Sequence, residues 1–335
     1  MFSSYFKSEK WRIWAYGGLF LIIVSVAIQT YLTLLITYWY KEFYDLLQEA
    51  TKHSLDEFWD GIRKFLYIAM PYVIIVTLTN FFAKHWIFRW REALTFSYLQ
   101  HWRKSEKDIE GSSQRIQEDI YRLAQTYEYL GVQLLRAIMI LIVFTVPLWK
   151  LSSAVQIPVL KSIPGSLVFV AFITSVGGMI ISWFVGIKLP KLEYNIQKTE
   201  AAFRKELVFA EDDKKNYAQP EKISTLFETL RTSFYRIYLH YGYFEVWSIS
   251  FSQFLVIVPF MLMGTGIFTG AVTLGTLMQA SSIFDKVRDA FSVFINNWTR
   301  ITELRSIYIR LDEFERNISY GKYAINKAEN IASTE

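Results

Sequence analysis

Uncharged stretches longer than an ordinary buried helix recur along this chain. They cover residues 13–40, 65–83, 162–187 and 246–284, and another at 129–149 is interrupted only by Arg136. A helix crosses a hydrocarbon core with roughly 20 apolar residues. The 246–284 run exceeds one crossing and contains GTGIFTGAVTLG, whose glycines signal a turn, so it divides into two. The pattern predicts an all-α membrane protein of six transmembrane helices, at about 13–40, 62–84, 129–150, 162–188, 246–266 and 271–298.

Between the spans the polar segments keep helical periodicity, as in SYLQHWRKSEKDIEGSSQRIQEDIYRLAQ and LEYNIQKTEAAFRKELVFAEDD. They are poor in proline and glycine. They read as long helical extensions that leave the membrane, turn and re-enter as the next span. One domain over 1–320 with a polar tail at 321–335 accounts for the whole chain. Paired helices hanging from a six-helix bundle resemble the transmembrane half of an ABC exporter.

Basic residues give an orientation. The segments 1–12, 84–136, 188–245 and 285–335 hold 30 of the 36 lysines and arginines. The positive-inside rule then predicts a multi-pass protein of the bacterial inner membrane with both termini cytoplasmic. The start, MFSSYFKSEKWR, leads into a run too long for a cleaved signal peptide and reads as a tail before a retained span.

Composition removes several function classes. The chain is 52% hydrophobic and 18% aromatic, above the usual soluble level. It has 0 cysteines, so no disulfide or thiolate metal site is available. His53, His85, His101 and His240 lack ligand spacing, and no nucleophile–base motif is present, so no metal, cofactor or enzyme chemistry is expected. No G-x-x-x-x-G-K-[ST] string occurs, and the Gly321–Lys322 pair is followed by tyrosine, so no nucleotide is expected to bind this chain. HWIFRWRE is basic and aromatic, but it lies at a membrane boundary, which argues against nucleic acid.

Several longer stretches carry a resemblance. NFFAKHWIFRWREALTFSYLQHW, GSSQRIQEDIYRLAQTYEYLG, VGIKLPKLEYNIQKTEAAFRKELVFAEDD, TLGTLMQ and INNWTRITELRSIYIRL resemble the SbmA/BacA family of peptide-uptake transporters, over about residues 43–310. More distantly they are similar to the membrane part of ABC-class fatty-acid half-transporters. The resemblance implies a domain-crossed homodimer enclosing a large polar cavity. It also implies import of antimicrobial and modified peptides, driven by the proton gradient, with peptides, protons and membrane lipid as partners. Family members commonly carry additional hydrophobic sequence before the first shared span, whereas the sequence here starts near that span. Two alternatives stay open: a permease subunit docking a separate ATPase, and a membrane protein acting in envelope lipid maturation.

Proton coupling needs carboxylates near the path, where burial and like charge make them titratable. Glu193, Glu200 and Glu211 are spaced by 7 and 11 residues, so on one helix they fall within about 20° of a line. Glu206 lies elsewhere on that wheel. Glu118 and Glu128 precede the YLGVQLL span, and Glu303 follows Arg300 on the last helix. The resemblance places Glu118, Glu128, Glu200 and Glu211 on family glutamates associated with transport. Glu128, Glu200 and Glu211 are the leading proton-coupling candidates, with Glu118, Glu193, Glu206 and Glu303 behind them. On composition alone Glu193, Glu206 and Glu118 read as a solvated helix face.

Arg136, inside a span, suits either a pair with a cavity glutamate or a snorkelling side chain. His85 and His240 suit titration or interfacial hydrogen bonding. Trp11, Trp14, Trp39, Tyr40, Trp86, Trp90, Trp102 and Trp183 cluster near span ends as interfacial anchors. Lining a path for proline-rich cargo is the other reading of these aromatics. The segment 41–64 carries six acids against four bases, which suits either attraction of cationic peptides or a solvated loop helix.

Overall fold

The computed structural model describes residues 1–105, 111–217 and 219–318; the 321–335 tail and its Gly321–Lys322 pair lie outside them. Every regular element among the described residues is helical. In chain order they are α1 (Ser3–Phe6), α2 (Arg12–Gln48), α3 (Leu55–Trp102), α4 (Ser112–Gln114), α5 (Ile120–Leu151), α6 (Pro158–Lys161), α7 (Ser166–Gly186), α8 (Leu189–Asp212), α9 (Pro220–Met263), α10 (Thr265–Phe268), α11 (Leu274–Asn296) and α12 (Trp298–Asn317). A π-helical turn, Arg115–Asp119, leads into α5.

Among the described residues five helical stretches are long and apolar enough to cross a membrane: Arg12–Gln48, Leu55–Trp102, Ser112–Ala154, Ser166–Gly186 and Pro220–Phe268. The sixth expected span corresponds to α11, which has 23 residues but carries Asp285, Lys286, Arg288 and Asp289. Length suits it and composition does not. Yet α11 is the hub of the bundle, packing against α2, α5, α7 and α9. Leu277, Ile283, Phe284 and Val287 of α11 join Phe144, Leu148, Leu167 and Leu255 in the largest buried cluster.

Three short connections share one end of the bundle. There the α2–α3 turn is fixed by a capping box, with Glu57 N–H donating to Ser54 Oγ at 3.2 Å. The Gln156 N–H donates to Leu262 O at 2.9 Å, tying the α5–α7 connection to the end of α9. The glycine-rich stretch is the predicted turn, holding α10 and Gly270 at φ 72°. Gly275 begins the return: its N–H donates to Asp45 Oδ1 at 2.9 Å, and a Cβ there would lie 2.0 Å from Lys41 O.

At the opposite end α8 and α9 pack together as a projecting arm. The extension after the fourth expected span is not one continuous helix. α7 stops at Gly186 and α8 restarts at Leu189, because Pro190 has no N–H to donate back and breaks the ladder. That span also begins later than expected, at Ser166, behind a Pro164–Gly165 turn with φ 73°. By contrast α3 and α9 run unbroken for 48 and 44 residues.

Candidate functional site

The expected site residues divide among three places. The first is the arm end of α5. Glu128 lines a cavity of about 350 Å³ with Lys84, Arg91, Tyr121 and Gln125, between α3 and α5. The Arg91 guanidinium lies over the Tyr121 ring, 4.6 Å from its centroid. That cavity offers one carboxylate and two cations to an incoming polar group. One helical stretch away, Arg122 contacts Glu118 at 2.7 Å and Glu303 at 4.0 Å. Two carboxylates far apart in sequence thus share one guanidinium. Arg300, near Glu303, covers the Tyr129 ring at 3.9 Å.

α8 is the second place. Glu193, Glu200 and Glu211 all lie on this one helix and all are exposed. Glu206 is on the face packed against α9, where its side chain is 7% exposed and Lys222 Nζ sits 2.7 Å from its Oε2. Its Oε1 has no hydrogen-bond partner. The helical wheel explains the division: the three exposed carboxylates share one stripe, and Glu206 lies about 140° around the wheel from it. Tyr241 of α9 donates to Glu193 Oε2 at 3.5 Å, at the limit of a hydrogen bond. Among the described residues, no hydrogen bond or ion pair joins Glu128 to Glu200 or Glu211.

The third place is the middle of the bundle. Arg136 Nη2 donates to Gln29 Oε1 at 3.3 Å, and Gln29 Nε2 donates to Thr79 Oγ1 at 2.9 Å. Arg136 is half-buried, and among the described residues no ion pair joins it to a glutamate. It completes a polar chain across α2, α3 and α5, in which Gln29 and Thr79 are each 3% exposed. Such groups are satisfied internally because hydrocarbon offers no partner.

Charges on α11 were not anticipated as site residues. Arg288 lies between Asp285, 3.2 Å away, and Asp289, 2.9 Å away. The basic-residue count treated everything from 285 onward as a segment outside the membrane, although the sixth span was drawn over 271–298. α11 instead continues unbroken through these residues to Asn296, and Ser175 in the middle of α7 donates to Arg288 O at 3.3 Å. The signal was present: four charges within five residues of a predicted span are functional candidates on their own.

Other expected residues take structural places. His85 packs on Phe81, ring centroids 4.4 Å apart, and His240 Nδ1 lies 2.9 Å from Arg236 O. Trp39 and Trp90 are buried, and Trp86 Nε1 donates to Trp14 O at 3.0 Å, so part of the aromatic set is packing rather than interface. Trp183 is exposed. Among the described residues no group of three or more His, Cys, Asp or Glu is arranged to hold a metal ion.

Long apolar helices bundled around a charged central helix, with a helical pair projecting from one end, define a multi-pass membrane protein. The particular lineage follows from sequence comparison. The chain belongs to the SbmA/BacA-like family, whose profile matches residues 8–319. It is 26% identical over 299 residues to an inner membrane ABC transporter ATP-binding protein, YddA, of Escherichia coli, covering 83% of this chain and 53% of that one. An uncharacterized ABC transporter ATP-binding protein of Haemophilus influenzae is 22% identical, with 84% and 50% covered. ABC transporter D family member 2, chloroplastic, of Arabidopsis thaliana is 24% identical, with 68% and 33% covered. The chain therefore spans about half the length of the first of these relatives.

Proposed function

We propose that two copies of this chain form a domain-crossed homodimer that imports peptides across the bacterial inner membrane, driven by the proton gradient. In this reading α11 is the sixth span, both termini are cytoplasmic, and the α8–α9 arm lies in the cytoplasm. Access alternates between the two sides, and carboxylates carry protons as it does so. Antimicrobial and modified peptides are the cargo that the family resemblance suggests.

The observation that supports this best is the α8 stripe. Glu193, Glu200 and Glu211 remain exposed on one face while Glu206 is neutralised by Lys222. That leaves a ladder of carboxylates along about five turns of α8 open to exchange with solvent. Glu128, beside Lys84 and Arg91 in its cavity, is the second group suited to exchange protons.

The test is purified protein in liposomes with a labelled cationic peptide. Uptake under an imposed pH gradient without nucleotide supports the proposal. Glu128→Gln, Glu200→Gln and Glu211→Gln should each slow that uptake by about 10- to 100-fold. Full uptake in all three ends the relay idea.

A second reading has its own support, since relatives at 26% and 22% identity are named as ABC transporter ATP-binding proteins. Here the chain is the permease part of an ABC system and works with an ATPase. The same liposomes separate the two: transport that appears only with an added ATPase and nucleotide favours this one.

A further inference from the structure

The Asp285–Arg288–Asp289 cluster stands apart from the glutamates above, and its depth follows from contacts. Gly275 is tied to Asp45 at the short-connection end, and Arg288 lies 13 residues further along α11, about 20 Å at 1.5 Å per residue. The Ser175 hydrogen bond places Arg288 level with the middle of α7, a 21-residue helix. Both markers put the cluster near the centre of the bundle, far from either end.

At that depth exposure becomes informative. The side chains of Arg288, Asp285 and Asp289 are 17%, 35% and 65% exposed. An ionised carboxylate that open at mid-depth is too costly against hydrocarbon, so the α11 face that carries it turns away from lipid, toward water or the partner copy. Arg288 contacts one carboxylate on each side, and its Nη1 faces Asp285 Oδ1 at 3.2 Å without hydrogen-bond alignment. The Asp289 contact is better made, with Nε and Nη2 both donating, at 3.2 and 2.9 Å. The guanidinium therefore has one firm partner and one loose one.

Neighbouring helices supply no competing charge at this level. α2 has none over 13–40, α7 none over 166–186, and α9 none over 246–263. On α5, Arg136 is engaged by Gln29 and Lys150 lies in the last turn at the short-connection end. Lys286 and Asp289 on α11 itself are the other groups that act on Asp285.

We propose that Asp285, Arg288 and Asp289 form a proton-exchange site on the wall of a water-filled path along α11. A proton from the path binds the Asp285 carboxylate and neutralises it, its contact with Arg288 lapses, and the guanidinium stays with Asp289. Loss of the proton restores the pair, so one proton enters and one leaves per cycle. Its use in driving cargo rests on the transport reading above; the water-facing wall and the titration do not.

Two measurements in nanodiscs test this without any cargo. The chain has 0 cysteines, so Asp289→Cys introduces a unique thiol. A charged, membrane-impermeant thiosulfonate should react with it within about 100-fold of the rate at Lys52→Cys, in the exposed α2–α3 turn, because thiol reactivity follows access and ionisation. A slower reaction overturns the water-facing wall. The chain holds 31 Asp and Glu residues, so the acid-minus-alkaline infrared difference spectrum of Asp285→Asn is subtracted from that of the unsubstituted chain; one protonated-carboxyl band should remain, and it should shift when Asp285→Glu replaces the unsubstituted chain. No band left by that subtraction overturns the titration. Should liposome uptake fail while both results hold, the transport reading falls and this site stands.

Discussion

Arg310 holds Asp119 with two nitrogens, Nε at 3.1 Å and Nη2 at 2.8 Å. Arg115 adds a third contact at 2.7 Å, so a carboxylate that is only 2% exposed is compensated from both sides. The pairing holds the Arg310 guanidinium above its ordinary pKa, chiefly through the Asp119 hydrogen bond. It fastens α12 to the π-helical turn before α5. Asp119→Asn should cost about 3 kcal/mol, since it leaves two guanidinium groups facing a neutral amide. Thermal unfolding in detergent would read the loss, and tryptic cleavage at Arg305 should accelerate. Unchanged cleavage would mean that α12 is held by its apolar face alone.

Close approach of α7 and α9 depends on Gly178, where a Cβ would fall 2.1 Å from Phe251 Cε1. Small residues let spans meet where apolar burial gives little drive between them. Gly178→Ala should destabilise by about 1–3 kcal/mol through overpacking, and Gly178→Ala with Phe251→Leu should recover part of that. The comparison needs only melting curves of the three proteins. A double variant no better than the single one would show that the helix backbones, rather than the ring, set the limit.

The Arg136–Gln29–Thr79 chain predicts strong coupling. Gln29→Leu removes the acceptor of Arg136 and the donor to Thr79, and should cost about 2–3 kcal/mol. Arg136→Leu combined with it should cost less than the two singles added, by about 1 kcal/mol or more. A double-mutant cycle on unfolding in mild denaturant gives this number directly. Simple additivity would show that the 3.3 Å contact carries no energy.

Tyr5 supplies a pH dependence outside the spans. Its side chain is fully buried, and that burial pushes the phenol pKa up to about 12, against a smaller lowering by Arg89. Because the folded value is raised, the contribution is complete below the ordinary tyrosine pKa near 10 and is lost as pH rises through about 12. The α1 packing against α3, which includes the Tyr5 hydroxyl bond to Trp86 O, should therefore loosen only at strong alkalinity. Tyr5→Phe should remove that step from an alkaline titration followed by tryptophan fluorescence. Persistence of the step in Tyr5→Phe would assign it elsewhere.

Much of the bundle was legible from its uncharged runs, because length and apolarity alone fix where a helix can span. The ladder on α8 was legible too, since helical geometry converts spacings of 7 and 11 into one stripe. What could not be read were partners across elements. Arg136 meets Gln29 over a separation of 107 residues, and Glu206 meets Lys222 only because α8 folds back on α9. The α7–α8 break was written in Pro190, but a long polar periodicity masked it. Asp285 to Asp289 were hard to place for another reason. The span drawn over 271–298 includes them, while the basic-residue count put them past the membrane, and only contacts such as Ser175 with Arg288 O show that they lie level with α7.

The unbroken length of α9 has a mechanical consequence. Pro259 sits inside it near the short-connection end, and the 39 residues from there to Pro220 make a rod of about 58 Å. A swing of only ten degrees about that proline sweeps the far tip through roughly 10 Å. Small shifts near the top of the bundle are thus geared up into wide travel of the arm, with α8 carried along as cargo on the same lever.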